Sequence, residues 1–266
     1  MLIFVLGLLL KIAMTAAIVI AASVVVERSG PFIGSLIASL PTAGGAAMII
    51  LAVEHPPAFI AASAIGSMVA GAIVTVFALA YAALAQRHGL AVSLSGAFLV
   101  WFAAAALSRL VDWTAASAIA LTAVVFPLTI LAGRRFRAEG ARQKVKLTAA
   151  DLGWRAAVVT LCVVVVTTAS YSIGSYWSGL FAFFPVAMAS FFVILHPRIG
   201  GPGAASVAAH VQAPLIGLNL SLLAVHWLAV PAGVWWSYLI GLGIGISWNA
   251  MLWLSRHVSL GRAASR

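Results

Sequence analysis

The feature that most constrains this chain is a succession of apolar runs, each bounded by charge, glycine or proline. A helix needs about 20 mainly apolar residues to cross roughly 30 Å of hydrocarbon. By that measure the spacing predicts helices over Leu2–Val26, Pro31–Val53, Ala58–Ala85, Leu90–Leu107, Trp113–Ala132, Arg155–Ile173, Tyr176–Leu195, Gly203–Ala229 and Pro231–Leu254. In lipid only helices and closed barrels satisfy their own backbone groups, and these runs are too long for barrel strands. The expected fold is an all-α integral membrane protein of about nine transmembrane helices, which leaves no room for a soluble domain.

Composition agrees. Hydrophobic residues make up 64% of the chain and charged residues 8%, and the mean hydropathy is +1.15. A soluble surface needs far more charge. The opening segment MLIFVLGLLLKIAMTAAIVIAASVVVE lacks a charged stretch before its apolar core and runs on past Lys11. It is expected to be a retained first transmembrane helix rather than a signal peptide. The single Cys162 excludes a disulfide within the chain and any paired-cysteine metal or redox motif.

The formal charge is +10, from 15 Lys and Arg against 5 Asp and Glu. No basic fold module accompanies it, so nucleic acid is not an expected partner. The basic residues instead fall between apolar runs, where they set orientation and meet anionic lipid headgroups. Alternate gaps collect Arg28, Arg87, the group Arg134, Arg135, Arg137, Arg142, Lys144 and Lys146, then Arg198, Arg256, Arg262 and Arg266. The opposite gaps hold Arg109 with Glu54 and Asp112. The positive-inside rule then places the N-terminus outside and the C-terminus in the cytoplasm, with the 134–154 loop. Trp113, Trp177, Trp227, Trp235 and Trp236 fall near the expected outer interface, and Trp154 and Trp253 near the inner one. Trp101 and Trp248 fall deeper, where packing explains them as readily as function.

Lys11–Gly45 and Arg155–Ala189 align without gaps, pairing Lys11 with Arg155, Gly30 with Gly174, Leu36 with Leu180 and Pro41 with Pro185. His55–Pro56 and His196–Pro197 follow at a slightly shorter shift. The expected organisation is a first four-helix repeat over 1–110 and a connector helix over 111–133. A basic cytoplasmic loop over 134–154 follows, then a second four-helix repeat over 155–266 ending in a short basic tail. Because the shift crosses five expected spans, the repeats are expected to be inverted, as in many secondary transporters. A miscount by one span within 90–132 would make them parallel.

Each half resembles the GlpM-like family of small four-helix bacterial membrane proteins. The matching residues are Arg155 opening a helix, then Ser178-Gly179-Leu180, then Phe184-Pro185, with Pro231 and Ala232 opening the last helix. The second half fits over nearly its whole length and the first more loosely. The resemblance implies a tandem duplication and a bacterial inner-membrane location, and it brings no established activity.

Polar groups inside a span are costly and each needs a reason. Lys11 either holds an anion or pairs with a carboxylate, or else the helix begins near Ile12 or the long stem snorkels to the interface. Pro41 and Pro185 interrupt matching helices among small and polar residues, including Ser39 and Thr42 in one and Ser178 in the other. A proline frees a helical carbonyl, and paired breaks in inverted halves point to a midplane site. The alternative is a packing kink between small residues. The eighth expected helix carries His210, Gln212, Pro214, Asn219 and His226, and the ninth Ser247 and Asn249. His210 is a candidate ligand group or proton relay, or a histidine satisfied by a nearby carbonyl. The aromatic run from Tyr176 to Phe192 either lines a substrate path or packs the core.

No HExxH, phosphate-loop or GxSxG motif occurs, and no carboxylate pair lies within a span. No enzyme activity, catalytic residue, metal or cofactor is therefore expected. The reading that follows is a small-molecule secondary transporter or exporter. Its substrate-binding residues are drawn from Ser39, Pro41, Thr42, Ser178, Pro185, His210, Gln212 and Asn249. The rival is a non-transporting component assisting lipid or envelope-polysaccharide assembly. Expected partners are membrane lipids, a small-molecule substrate, and a second copy or another membrane protein.

Overall fold

The computed structural model describes residues 12, 13, 15–17, 42–137 and 148–264, without the side chains of 42, 43 and 256–264. Most of the first expected span with Lys11, nearly half of the second with Ser39 and Pro41, and the basic residues Arg142, Lys144 and Lys146 lie outside them. Among the described residues every regular element is helical. These are α1 (Thr42–Glu54), α2 (Pro57–Leu84), α3 (Leu90–Leu107), α4 (Ala115–Gly133), α5 (Ala149–Ala182), α6 (Val186–Leu228) and α7 (Val234–Ala264). Short 3-10 turns, Ser108–Leu110 and Arg134–Phe136, close α3 and α4.

Local chemistry sets these ends. Pro56 is extended and Pro57 opens α2, where a missing N–H costs nothing. Capping boxes start α4 with Thr114 and Ser117, and α5 with Thr148 and Asp151. α5 and α6 are each cut by one glycine with positive φ, Gly174 at 78° and Gly200 at 75°. Side chains with a Cβ rarely adopt that conformation. Each reverses the chain, so 149–228 folds into successive legs, as the Asp151–Arg198 ion pair across two of them requires.

The contacts fix how the legs run. α3 returns along α2, with Gly96 at Leu84 and Phe98 at Phe77. The first leg of α5 joins Ser170 to His55 at one end and Asp151 to Arg198 at the other. The leg after Gly200 runs antiparallel to α2, with Gly201 against Ala85, Gln212 reaching Thr75, Asn219 beside Gly71 and His226 at Ala61. α7 then turns back, with Gly241 at Ser221 and Trp248 at Ala213. One end of the bundle therefore collects Arg87, Arg134, Arg135, Arg137 and Arg198, and the other Glu54, Asp112 and the 229–233 turn.

Five helical stretches are long and apolar enough to cross a membrane: Pro57–Leu84, Leu90–Leu110, Ala115–Phe136, the folded stretch Ala149–Leu228, and Val234–Ser255. α2 is the central one. In its most apolar stretch 72% of residues are buried, against 22%, 17% and 17% for the stretches through α3, α4 and α7. Those outer helices turn Leu99, Phe102, Leu128, Leu131, Leu239 and Ile246 outward. An outward apolar face on a helix that is apolar all round suits lipid rather than water. The chain is thus a membrane-embedded helical protein whose core forms around α2.

Candidate functional site

The break expected at Pro185 is present and deep. α5 ends at Ala182, Phe183 leaves helical geometry at φ −103° and ψ 23°, and Pro185 precedes α6 at φ −74° and ψ 34°. Pro185 has no N–H and forces the residue before it away from the helix. The interruption is partly repaired locally, since Phe184 N donates to Phe181 O at 3.0 Å and Val186 N to Phe184 O at 2.7 Å. Phe183 and Val186 are 8% and 7% exposed. Non-helical backbone at membrane depth is stable only when protein or a cavity surrounds it.

Two walls close around this break. α1 approaches so tightly that a Cβ on Gly44 would collide with the Phe183 ring. On the other side Phe184 meets Trp101, Phe98 and Phe102 of α3, with ring centroids 4.8, 5.5 and 5.8 Å away. Backbone contact with α2 is closer still. A Cβ at Gly66 or Gly179 would strike the main chain of Tyr176 or Ser63 respectively, and Ser67 Oγ donates to Gly179 O at 2.9 Å. Small residues make this approach feasible, as in other membrane helix pairs. Ser178, expected to face substrate, is fully buried and donates to Gly174 O at 2.7 Å, which ties it to its own helix.

The structure brings the first turn of α1, which opens at Thr42, to the Pro185 break. It distributes the remaining candidates. His210 is half-buried and its Nδ1 lies 2.7 Å from Ser206 O, one turn back in its own helix. Gln212, two residues on, points roughly 200° away around the helix. It is fully buried, with Nε2 3.5 Å from Thr75 O, and its Oε1 lies beside Gly133 of α4 without a hydrogen bond. Asn219 Oδ1, near Gly71, and Asn249 Oδ1, on α7, also lack partners. Trp248, read from the sequence as deep, packs on Gly217 and donates to Ala213 O at 2.9 Å.

The two histidines that precede proline, His55 and His196, join separate helices. His55 Nε2 is 2.7 Å from Ser170 Oγ and its ring stacks on Phe59. His196 Nδ1 is 2.8 Å from the Tyr81 hydroxyl, whose ring stacks on Phe192 at 3.9 Å. Each ties α2, or the turn just before it, to the α5–α6 region.

One residue that opens its helix in the sequence takes a different place in the fold. Arg155 is 5% exposed, its Nε and Nη1 have no hydrogen-bond partner, and its guanidinium carbon lies 4.9 Å from the Phe191 ring centre. Position alone could not separate this from a snorkelling arginine at a helix end, because its burial depends on which ring the next leg delivers. An open apolar cavity of about 270 Å³ also lies between α2, α3 and α4, lined by Ile73, Ala104, Trp113 and Leu121 among others. Among the described residues no group of His, Cys, Asp and Glu is placed to hold a metal ion. Comparison of the chain with protein-family models, curated proteins and solved structures finds no match.

Proposed function

We propose that the chain is a small-molecule secondary transporter or exporter of a bacterial inner membrane, with its substrate site at the helix break before α6. The observation that carries this reading is the buried interruption at Phe183–Pro185 pressed against the first turn of α1. Transporter sites form where interrupted helices from two halves meet near the bilayer midplane.

The proposal includes two inverted four-helix halves joined by α4, with about nine spans in all. Helix starts support it: Val186, residue 201 and Val234 follow Thr42, Pro57 and Leu90 by the same 144 residues. In that register α2 corresponds to the leg after Gly200, and these two run antiparallel, as inverted copies do. The contact of Trp248 with Gly217 then corresponds to the positions of Ala104 and Ile73, which line the apolar cavity beneath α4. α4 itself has no counterpart, in keeping with a connector. The positive-inside rule puts the arginine-rich end in the cytoplasm. The GlpM-like resemblance adds only a four-helix unit to this reading.

The test is a thermal-shift screen of the detergent-purified chain against metabolites, ions and lipids, followed by flux into proteoliposomes. A soluble compound should stabilise the protein and be carried across the vesicle, and Pro185→Ala should slow its flux while His210→Ala does so less. Stabilisation by lipids alone, with a membrane partner retained through purification and no flux, would favour the assembly-component reading.

A further inference from the structure

The described part of the protein buries one guanidinium with no countercharge. Arg155 sits in the second turn of α5, one turn beyond Asp151. Asp151 is fully engaged elsewhere: both its oxygens accept from Arg198 Nη2, at 2.9 and 2.7 Å, and Oδ2 also accepts from Thr148 N and Oγ1. Glu54 and Asp112, the other described carboxylates, belong to the opposite end of the bundle. What the structure gives Arg155 is the face of Phe191, and Phe191 stands on the leg that begins at the Pro185 break.

A guanidinium cannot shed its proton to escape burial. A ring face offers it partial compensation through the quadrupole, but leaves the in-plane donors Nε and Nη1 unused. Those donors are what planar recognition of carboxylate and phosphate employs. Arg198 shows the paired arrangement, and Arg155 has the same chemistry with no carboxylate beside it among the described residues.

We propose that Arg155 is an oxyanion-binding residue, and that the molecule taken at the helix break carries a carboxylate, phosphate or sulfate group whose charge rests on it. This deepens the transporter reading and rests on the break being the substrate site. Arg155 supplies charge and direction, and the break supplies backbone dipoles freed from the helix. The same oxyanion chemistry is offered by a phospholipid headgroup, since Arg155 lies toward the arginine-rich end of the bundle.

The experiment uses the full chain, purified in detergent and then reconstituted. Melting is followed against sodium phosphate, sulfate, acetate and succinate, with sodium chloride at matched ionic strength, and against added phosphatidylglycerol. The wild type, Arg155→Gln, Arg155→Lys and, as a control for the neighbouring pair, Arg198→Gln are compared. The expected result is saturable stabilisation by oxyanions beyond that by chloride, with the half-saturating concentration raised about tenfold or more in Arg155→Gln. That corresponds to one or two charge-assisted hydrogen bonds lost. Arg155→Lys should be intermediate, because an ammonium keeps the charge without the fork. It also keeps the test alive if Arg155→Gln does not fold. Stabilisation by phosphatidylglycerol alone, weakened in the Arg155 variants, assigns the oxyanion to lipid. No oxyanion effect on the wild type, or an equal one in every Arg155 variant that folds, overturns the proposal. Flux separates the two readings. Carriage of an uncharged solute unaffected by Arg155→Lys would keep the transporter and discard the anion site, whereas Arg155-dependent oxyanion binding without flux would do the reverse.

Discussion

At the scale of single residues, the tightest constraint is the contact between Gly179 and α2. Its missing side chain lets Ser67 bond the Gly179 carbonyl and brings two backbones together beside the break. Gly179→Val should therefore destabilise the protein by roughly 1–3 kcal/mol, the usual cost of forcing extra volume into a packed core. A lowered Tm in detergent measures this, and an unchanged melt would mean that the two helices can separate without loss. The sequence announces some of this local chemistry. Pro185 is legible as a break because no neighbour can restore its missing N–H, and Ser178 and Gly179 are legible as small residues suited to close packing. It is silent on Arg155, because basic residues at helix ends look alike until the facing helix delivers either a carboxylate or, as here, Phe191. The same holds for Gln212 and His210. Adjacent candidates in the sequence, they face different neighbours once helical rotation separates them.

At the scale of elements, the reversals matter most. The expected ends at Ile173 and Gly203 bracket the two glycines, but the expected helix end at Leu195 comes too early. The helix continues through Pro197 as far as Gly200, and Pro202 falls in the first turn of the next leg, where its absent N–H is harmless. Proline was thus a good marker of the region and a poor marker of the turn, whereas φ-positive glycine sets the turn itself. Gly200→Ala, which must hold φ near 75°, should cost roughly 1–3 kcal/mol. Gly153→Ala is the matched control. It lies inside α5 with open space where a Cβ would go, so it should be neutral or stabilising by up to about 1 kcal/mol. Melting curves of the two variants side by side test the difference. If both shift alike, the reversal at Gly200 is not held by its backbone conformation. The bounds of α4 were legible for a simpler reason: they fall within two residues of the expected Trp113 and Ala132, and the capping box at Thr114 accounts for the later start.

At the scale of the whole molecule, the proposed inverted halves make a claim about sides that no single helix can make. Long apolar runs told that the chain lies in a membrane, but periodicity carries little more, because helices that are apolar all round show no preferred face. Direction comes instead from charge at the ends and from which ends meet. The α2–α3 turn and the start of α5 belong to one end, and the segment before α4 and the turn before α7 belong to the other. If the proposed arrangement and the positive-inside rule both hold, the first pair is cytoplasmic and the second external. Replacing Cys162, the only native cysteine, with serine provides a background for single-cysteine labelling. His88, Asp112, Thr148 and Ala232 are all exposed and lie in these four places. In intact cells a membrane-impermeant maleimide should label Asp112→Cys and Ala232→Cys, and reach His88→Cys and Thr148→Cys only after permeabilisation. The complementary pattern would preserve the bundle and reverse its orientation, removing the case for an arginine-rich cytoplasmic end. Labelling of His88→Cys and Thr148→Cys from opposite sides would be more damaging. An odd number of crossings, instead of the two made by α3 and α4, would then separate two points that the fold puts at one end, and the inverted relation of the halves would fall with it.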